Sequence, residues 1–579
     1  MRVLLWRVTF AIGAVAAIGG LAAAVLPGTA QPDGPGQQVD ALFASWTGPR
    51  APGCAVSVMR GGDLAFARGY GAANLEYDVP ITPSSVFHVA SVSKQFTALA
   101  VALLVADGEV SWDDDVRRYV PELPDFGTPI TLRHLAHHTS GIRDQWAMLQ
   151  MAGWRWGGDV IHQSDVLDLL SRQTALNFAP GSDYLYSNSG YTLLAVVVER
   201  VSGQTLRAFT SARLFGPLGM TRTVFRDDHT MLVRDRAYAY ARDGFGRYRL
   251  SIPDFAIVGA SSLFTTVEDL ARWNGNFTSG EVGGRDALRQ LQAHGALDGG
   301  ARLSYAFGLV HGTHRGRPTI GHGGTDAAYR SEFLRFPDED LAVAVLCNTD
   351  RASPGRLALD VADVFLPPPR GAAAPSPEAG PRSPPPRPPA PAAGRGETGG
   401  GMADPASLAG YYLRPGNDVP LRVVARGDAL RLLGAGAEQS LRPAGGGRFL
   451  LGGTTEVTFT PAGGGEPPTL RIGDPSRPVY SRELSASPSA ETLAAYAGSY
   501  YSDDLAVGYT FRVEAGRLVL WNRKLGRMPL APTFADGFYA RGWSFTFRRD
   551  DAGAVSGFTV STSRAWNIAF RKRGEESGP

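Results

Sequence analysis

Val89-Ala90-Ser91-Val92-Ser93-Lys94 leads straight into the apolar run from Phe96 to Ala106. If that run is a helix, the S-x-x-K spacing sets the Ser91 and Lys94 side chains on one face, one turn apart. A serine hydroxyl is a poor nucleophile until a neighbour takes its proton. A lysine amine can do so only when burial or nearby positive charge lowers its pKa from about 10.4. At a helix N-terminus the Ser91 backbone N–H would also point to where an oxyanion forms. The plainer reading of the same residues is an N-cap serine followed by a first-turn lysine. The motif alone does not choose between the two, so the choice falls to the rest of the chain.

The chain has 579 residues and is 44% hydrophobic, enough to bury a core in each of two or three domains. Its 57 Lys and Arg nearly balance 55 Asp and Glu, and the folded regions carry no long like-charge run, which sets nucleic-acid binding aside. In residues 1–30, Arg2 and Arg7 precede an apolar stretch from Phe10 to Leu26 and then Pro27-Gly28-Thr29-Ala30. This reads as an export signal, with an uncleaved membrane anchor as the alternative. The predicted location is periplasmic, cell-surface or extracellular. Cys54 and Cys347 are the only cysteines, which excludes a disulfide-rich scaffold and a multi-cysteine zinc site. Both end strand-like runs, so they either pair or stay as two buried thiols.

Cys54 to Arg60 and Leu64 to Arg68 read as two strands around the Gly61-Gly62-Asp63 turn. Trp112-Asp113-Asp114-Asp115-Val116 lacks the spacing of a calcium loop and reads as a solvated helix start. His134, His137 and His138 crowd into one and a half helical turns with no carboxylate or cysteine placed to complete a metal site; they read as helix-end and packing residues. Pro180 to Gly190 is a turn-rich loop before an apolar helix, Tyr191 to Val201, closed by Gly203. Tyr186 and Asn188, two apart on an extended segment there, could reach the pocket of Ser91, or could instead be a packing tyrosine and a surface Asx turn. Thr265-Thr266-Val267-Glu268-Asp269 reads as a strand end, a cap and an acidic first turn. Gly321-His322-Gly323-Gly324-Thr325 precedes strands from Arg330 to Phe336 and Leu341 to Asn348. A sheet built from both ends of this region, with helices between, is an α/β arrangement with antiparallel edges.

Ser91-Val92-Ser93-Lys94, Tyr186-Ser187-Asn188 and His322-Gly323-Gly324, in this order, resemble the three active-site motifs of the serine β-lactamase and penicillin-binding-protein superfamily. The resemblance is nearest to the branch with class C β-lactamases, D-aminopeptidases, D-alanyl-D-alanine carboxypeptidases and esterases. It covers residues 38–366, with Thr131 to Gly141, Pro180 to Gly190 and Phe215 to Met220 as supporting stretches. It implies an α/β domain with a helical subdomain, Ser91 as acylated nucleophile, Lys94 and Tyr186 as the proton-transfer pair, and Asn188 as their orienter. It places the oxyanion at the N–H groups of Ser91 and Thr325, beside Gly323 and Gly324. It calls for no cofactor and no metal. His322 stands where β-lactamases and true penicillin-binding enzymes carry lysine; a largely neutral histidine removes the permanent charge for a β-lactam carboxylate.

From Pro367 the composition turns proline-rich and then glycine-rich through residue 404, a spacer of extended chain. Beyond it, short alternating runs between glycines read as all-β. Leu408-Ala409-Gly410-Tyr411-Tyr412 returns as Tyr496-Ala497-Gly498-Ser499-Tyr500, so residues 405–487 and 488–575 are predicted to be two repeats, as two small barrels or one composite barrel. The tail carries no evident catalytic set and either covers the active-site mouth or binds something. The whole reads as an exported serine hydrolase acting on an ester or on a D-amino-acid or peptide amide, with a small molecule or a peptidoglycan-derived peptide as substrate. A cell-wall peptide sensor that no longer turns over and a genuine β-lactamase are the alternatives. Nothing in the sequence speaks to oligomeric state.

Overall fold

Leu341-Ala-Val-Ala-Val-Leu-Cys347 is apolar at every position, the pattern of a strand covered on both faces, and all seven residues are buried. The computed structural model describes residues 34–367 except 49 and 156, and 405–574 except 428, 434–437, 446, 453–454, 463–466 and 474–478. The export signal read at residues 1–30, and the linker from 368 to 404, lie outside the described residues. The strands β1 (Cys54–Arg60), β2 (Asp63–Tyr70), β3 (Val310–His314), β4 (Arg317–Asp326), β5 (Tyr329–Phe336) and β6 (Leu341–Cys347) form one antiparallel sheet in the order β3-β4-β5-β6-β1-β2. Segments 293 residues apart thus meet inside the sheet, where β1 and β6 pair with Cys54 opposite Cys347. The two sulfurs are bonded, which settles the pairing that the sequence left open.

One face of the sheet presents Val56, Val58, Val343 and Val345 to the helix Pro35–Leu42 and to Pro354–Phe365. The other presents Ala55, Ala342 and Ala344 to the main core. The helix Val267–Ser279 packs on the small side chains of that face, and its Trp273 meets Phe96 of α1 (Lys94–Ala106), which runs through the domain centre buried from Lys94 to Leu104. Against it packs α2 (Asn188–Ser202), which ends on Gly203 in the left-handed conformation.

Three local expectations are corrected. Ser91 does not begin the α-helix: Ala90–Ser93 is a 3₁₀ turn and the α-helix starts at Lys94. Three residues per turn eclipse positions i and i+3, so the tighter turn brings Ser91 and Lys94 together. Asn188 is not on an extended segment but is the first residue of α2, with Ser187 as its cap. The acidic run near Trp112 leads only into a 3₁₀ turn, Val116–Arg118, capped by Asp115; its other acids are engaged, Asp113 with Arg133 and Asp114 with Tyr119.

Beyond the linker, strands between Gly410 and Glu483 close an eight-stranded antiparallel barrel. Strands between Gly498 and Lys572 form a nine-stranded sheet whose edges, Gly526–Pro529 and Ala531–Pro532, are separated only by Leu530. The sequence echo has a structural meaning. Tyr412 OH donates to Leu408 O at 2.8 Å, and Tyr500 OH donates to Tyr496 O at 2.9 Å, so each unit pins its first strand to its leading turn by the same bond. The second unit docks on the first domain through the buried Arg143–Asp504 ion pair at 2.9 Å, with Gln173 and Thr174 also bonded to Asp504.

Candidate active site

The 3₁₀ turn, the start of α2 and the far half of β4 converge on Ser91. Ala90 enters the turn with φ +47, a conformation costly for a side chain other than glycine and held here by its surroundings. Lys94 Nζ has three neighbours: Ala260 O at 2.7 Å, Asn188 Oδ1 at 2.9 Å and Ser91 Oγ at 3.1 Å. Full burial holds the Lys94 amine well below its ordinary pKa, outweighing the carboxylate of Asp144. A neutral amine has two N–H donors and one lone pair. Ala260 O and Asn188 Oδ1 can only accept, so they take both hydrogens and leave the lone pair facing the Ser91 hydroxyl.

Tyr186 OH donates to the same Ser91 Oγ at 2.9 Å. Burial raises the Tyr186 phenol above its ordinary pKa, so at neutral pH it is a proton donor and not a phenolate. Asn188 is itself fixed: its backbone N–H and its Nδ2 both donate to Asp144 Oδ2 at 2.8 Å. Asp144, buried at the cap of the helix Gln145–Met151, is a residue that sequence reading missed. An aspartate before a helix is an ordinary capping signal and carries no mark of a second duty.

On β4, His322 to Asp326 pair with β5 on one side, whereas pairing with β3 stops at Gly321. The free edge passes beside the Ala90–Ser93 turn. A Cβ on Gly324 would lie 2.2 Å from Val89 O and 2.3 Å from Ser331 Oγ, so only glycine permits this approach. His322 is buried, with Nδ1 at 2.6 Å from Gly323 O and Nε2 at 3.1 Å from Tyr305 OH. The carbonyl requires the proton on Nδ1, so Nε2 accepts from the phenol. Burial lowers the His322 pKa to about 4, and the ring is neutral at pH 7.

The three histidines near residue 136 have structural partners. His134 Nδ1 accepts from Thr131 N, His137 packs on Phe307, and His138 Nδ1 accepts from Ser187 N beneath the Tyr186 ring.

A cavity of about 1120 Å³ opens over these groups, lined by Ser91, Tyr186, Asn188, His322 and Gly323 to Asp326. Two of its carboxyls are raised by burial, Asp326 to about 6 and Glu332 to about 7. The second C-terminal unit reaches the same cavity. Arg564 lines it with its guanidinium 5.0 Å from the Tyr186 ring centre, and Arg564 O accepts from Asp144 N.

A family model described as Beta-lactamase matches residues 39–366, more than half of the chain. The chain is 30% identical over 311 residues to a D-aminopeptidase of Gluconobacter oxydans, spanning 54% of this chain and 58% of that protein. It is 29% identical over 311 residues to a penicillin-binding protein of Bacillus subtilis, spanning 51% and 68%. The fold is shared with an octameric penicillin-binding protein homologue from Pyrococcus abyssi, at a TM-score of 0.51 and 21% identity over 85% of this chain and 99% of that one. The match to the D-aminopeptidase leaves two fifths of that relative uncovered. With a matching family model over its first domain and a shared fold, the chain belongs to the β-lactamase family.

Proposed function

We propose that the protein is an exported serine hydrolase that forms an acyl-enzyme on Ser91 and hydrolyses an ester or a D-amino-acid or peptide amide. The observation that carries this reading is the neighbourhood of Lys94, whose two obligate acceptors leave a lone pair for the Ser91 proton. As Oγ attacks the substrate carbonyl, the Ser91 proton passes to Lys94 Nζ. The oxyanion accepts from the N–H groups of Ser91 and Thr325. When the tetrahedral intermediate collapses, the bond to the leaving group breaks. Tyr186 hands that group a proton which the Lys94 ammonium makes good, so the net transfer runs from the serine hydroxyl to the leaving group. Water then repeats the sequence in reverse and frees Ser91.

The D-aminopeptidase and penicillin-binding-protein relatives support a D-amino-acid or peptidoglycan-derived peptide substrate. The neutral His322 disfavours efficient β-lactam hydrolysis, and a pocket used only for binding has no need of a buried lysine whose pKa is lowered beside a serine hydroxyl. The Cys54–Cys347 bond supports an oxidising, exported location. Turnover of a short-chain nitrophenyl ester, a D-alanyl amide and a chromogenic cephalosporin by the wild-type protein and Ser91→Ala tests the reading. It expects release from the ester or amide that vanishes in Ser91→Ala, with the cephalosporin slowest; release that persists in Ser91→Ala contradicts it.

A further inference from the structure

We propose that Arg564, carried by the second C-terminal unit, is a specificity residue that holds a substrate carboxylate on the leaving-group side of Ser91. The inference rests on the acyl-enzyme reading above for which side that is. Four observations carry it.

First, Arg564 is the one arginine or lysine that lines the cavity among the described residues. Lys94 lies beneath, fully buried, with its bonds spent on Ala260, Asn188 and Ser91. Second, the motif position that resembles a lysine site holds His322, neutral and bonded to Gly323 O and Tyr305 OH, so it offers no cation. Third, the guanidinium sits against the ring of Tyr186, the residue proposed to protonate the leaving group, and among the described residues the hydrogen bonds of Arg564 are made by its backbone. An exposed guanidinium with its five donors unspent is suited to a bidentate carboxylate.

Fourth, the segment is held in place. Arg564 O accepts from Asn177 Nδ2 at 3.1 Å and from Asp144 N at 3.1 Å. Trp566 N donates to Asn177 Oδ1 at 2.8 Å, and Trp566 O accepts from Arg143 Nε at 3.1 Å. The backbone is therefore tied to the same Asp144 that orients Asn188 and Lys94, which sets the cation in register with the nucleophile. The carboxyls of the lining come from other segments: Asp254 from the loop before Phe255, Asp326 held by Ser261 Oγ at 3.1 Å, and Glu332 on β5 opposite Gly323.

The test uses the full chain and two thioesters, N-acetyl-D-alanyl-thioglycolate and its methyl ester, which differ in the leaving-group carboxylate. Charge-assisted hydrogen bonds of this kind contribute roughly 10- to 100-fold. The kcat/KM ratio of carboxylate to methyl ester is expected to fall by about that factor in Arg564→Gln and to recover in part in Arg564→Lys, which keeps the charge but loses the fork. An unchanged ratio overturns the inference, including the case in which both substrates slow together because Arg564 acts through Lys94 or Tyr186. Binding gives a readout independent of turnover. In Ser91→Ala, N-acetyl-D-alanyl-D-alanine should bind tighter than its C-terminal amide, and adding Arg564→Gln should remove the difference. Equal binding of the two before that change overturns the inference. Discrimination in binding together with no hydrolysis by the wild-type protein sinks the acyl-enzyme reading instead and leaves the carboxylate site standing.

Discussion

Asp144 Oδ2 accepts both the backbone N–H and the side-chain Nδ2 of Asn188, each at 2.8 Å, and so fixes which end of that amide faces Lys94. With Nδ2 committed, Oδ1 must point at Lys94 Nζ, where it lies at 2.9 Å. A chain of hydrogen bonds runs from Asp144 through Asn188 to the Lys94 amine and on to Ser91. In the proposed mechanism Asp144 would act through Asn188, since the Ser91 hydroxyl bonds to Lys94 and Tyr186.

Replacing the neutral amide by a charge tests that chain. In Asn188→Asp a carboxylate would touch Lys94 Nζ and favour the ammonium, raising the Lys94 pKa against the depression caused by burial. The acidic limb of the kcat/KM profile should move to higher pH, while activity at alkaline pH is retained better than at pH 7. A profile with its acidic limb unmoved would remove Lys94 as the base.

The same burial has a stability consequence of fixed sign. Burial lowers the Lys94 pKa in the folded protein, so between that lowered value and the unfolded value of about 10.4 unfolding takes up a proton. Its cost to stability is absent above the unfolded pKa and grows as pH falls towards the folded one. Lys94→Met should therefore gain on the wild-type protein in urea unfolding between pH 10 and pH 7. A difference that is flat with pH, or that shrinks on acidification, would contradict a neutral Lys94.

Gly324 is where β4 and the Ala90–Ser93 turn nearly touch. A methyl group there meets Val89 O and Ser331 Oγ at contact distances that no pair of atoms adopts, so β4 must retreat from Ser91. Gly324→Ala is expected to lower kcat by about 10²-fold, the usual cost of a 1 Å misplacement, with the thermal midpoint less affected than the rate. Activity near that of the wild-type protein would show that the β4 edge does not border the oxyanion.

Docking of the second C-terminal unit depends on Arg143 and Asp504, whose side chains are 2% and 4% exposed. Deleting one partner of a buried pair leaves an uncompensated charge and costs about 3–5 kcal/mol. Arg143→Met and Asp504→Leu should each destabilise strongly, and the double variant should recover much of the loss. Because Arg143 adjoins Asp144 and also holds Trp566 O, both single variants should lose activity as well. Additive effects in a double-mutant cycle would mean that the pair is not the latch.

How much of this was legible depended on distance along the chain and on chemical marking. Ser91 and Lys94 could be paired from the sequence because a single turn relates them, and Tyr186, Asn188 and His322 because their motifs resemble a known set. The half-apolar, half-small pattern of Cys54–Arg60 and the wholly apolar Leu341–Cys347 announced the central sheet. The bond between Cys54 and Cys347 was undecided, since pairing requires the β1–β6 register across 293 residues. Ala260 contributes only a backbone carbonyl, which no side chain advertises. Arg564 sits in a loop between strands of an apparently inert tail, and its importance arises only from docking, which no local pattern encodes.

The central claim is that Ser91, served by Lys94, becomes covalently acylated. The most direct test is intact-mass analysis of the wild-type protein quenched in acid during turnover of N-acetyl-D-alanyl-thioglycolate, followed by peptide mapping. The account predicts a mass gain equal to the acyl group, located on the peptide bearing Ser91, absent in Ser91→Ala and strongly reduced in Lys94→Met. Steady turnover with no adduct, or an adduct mapped to another residue, would contradict it.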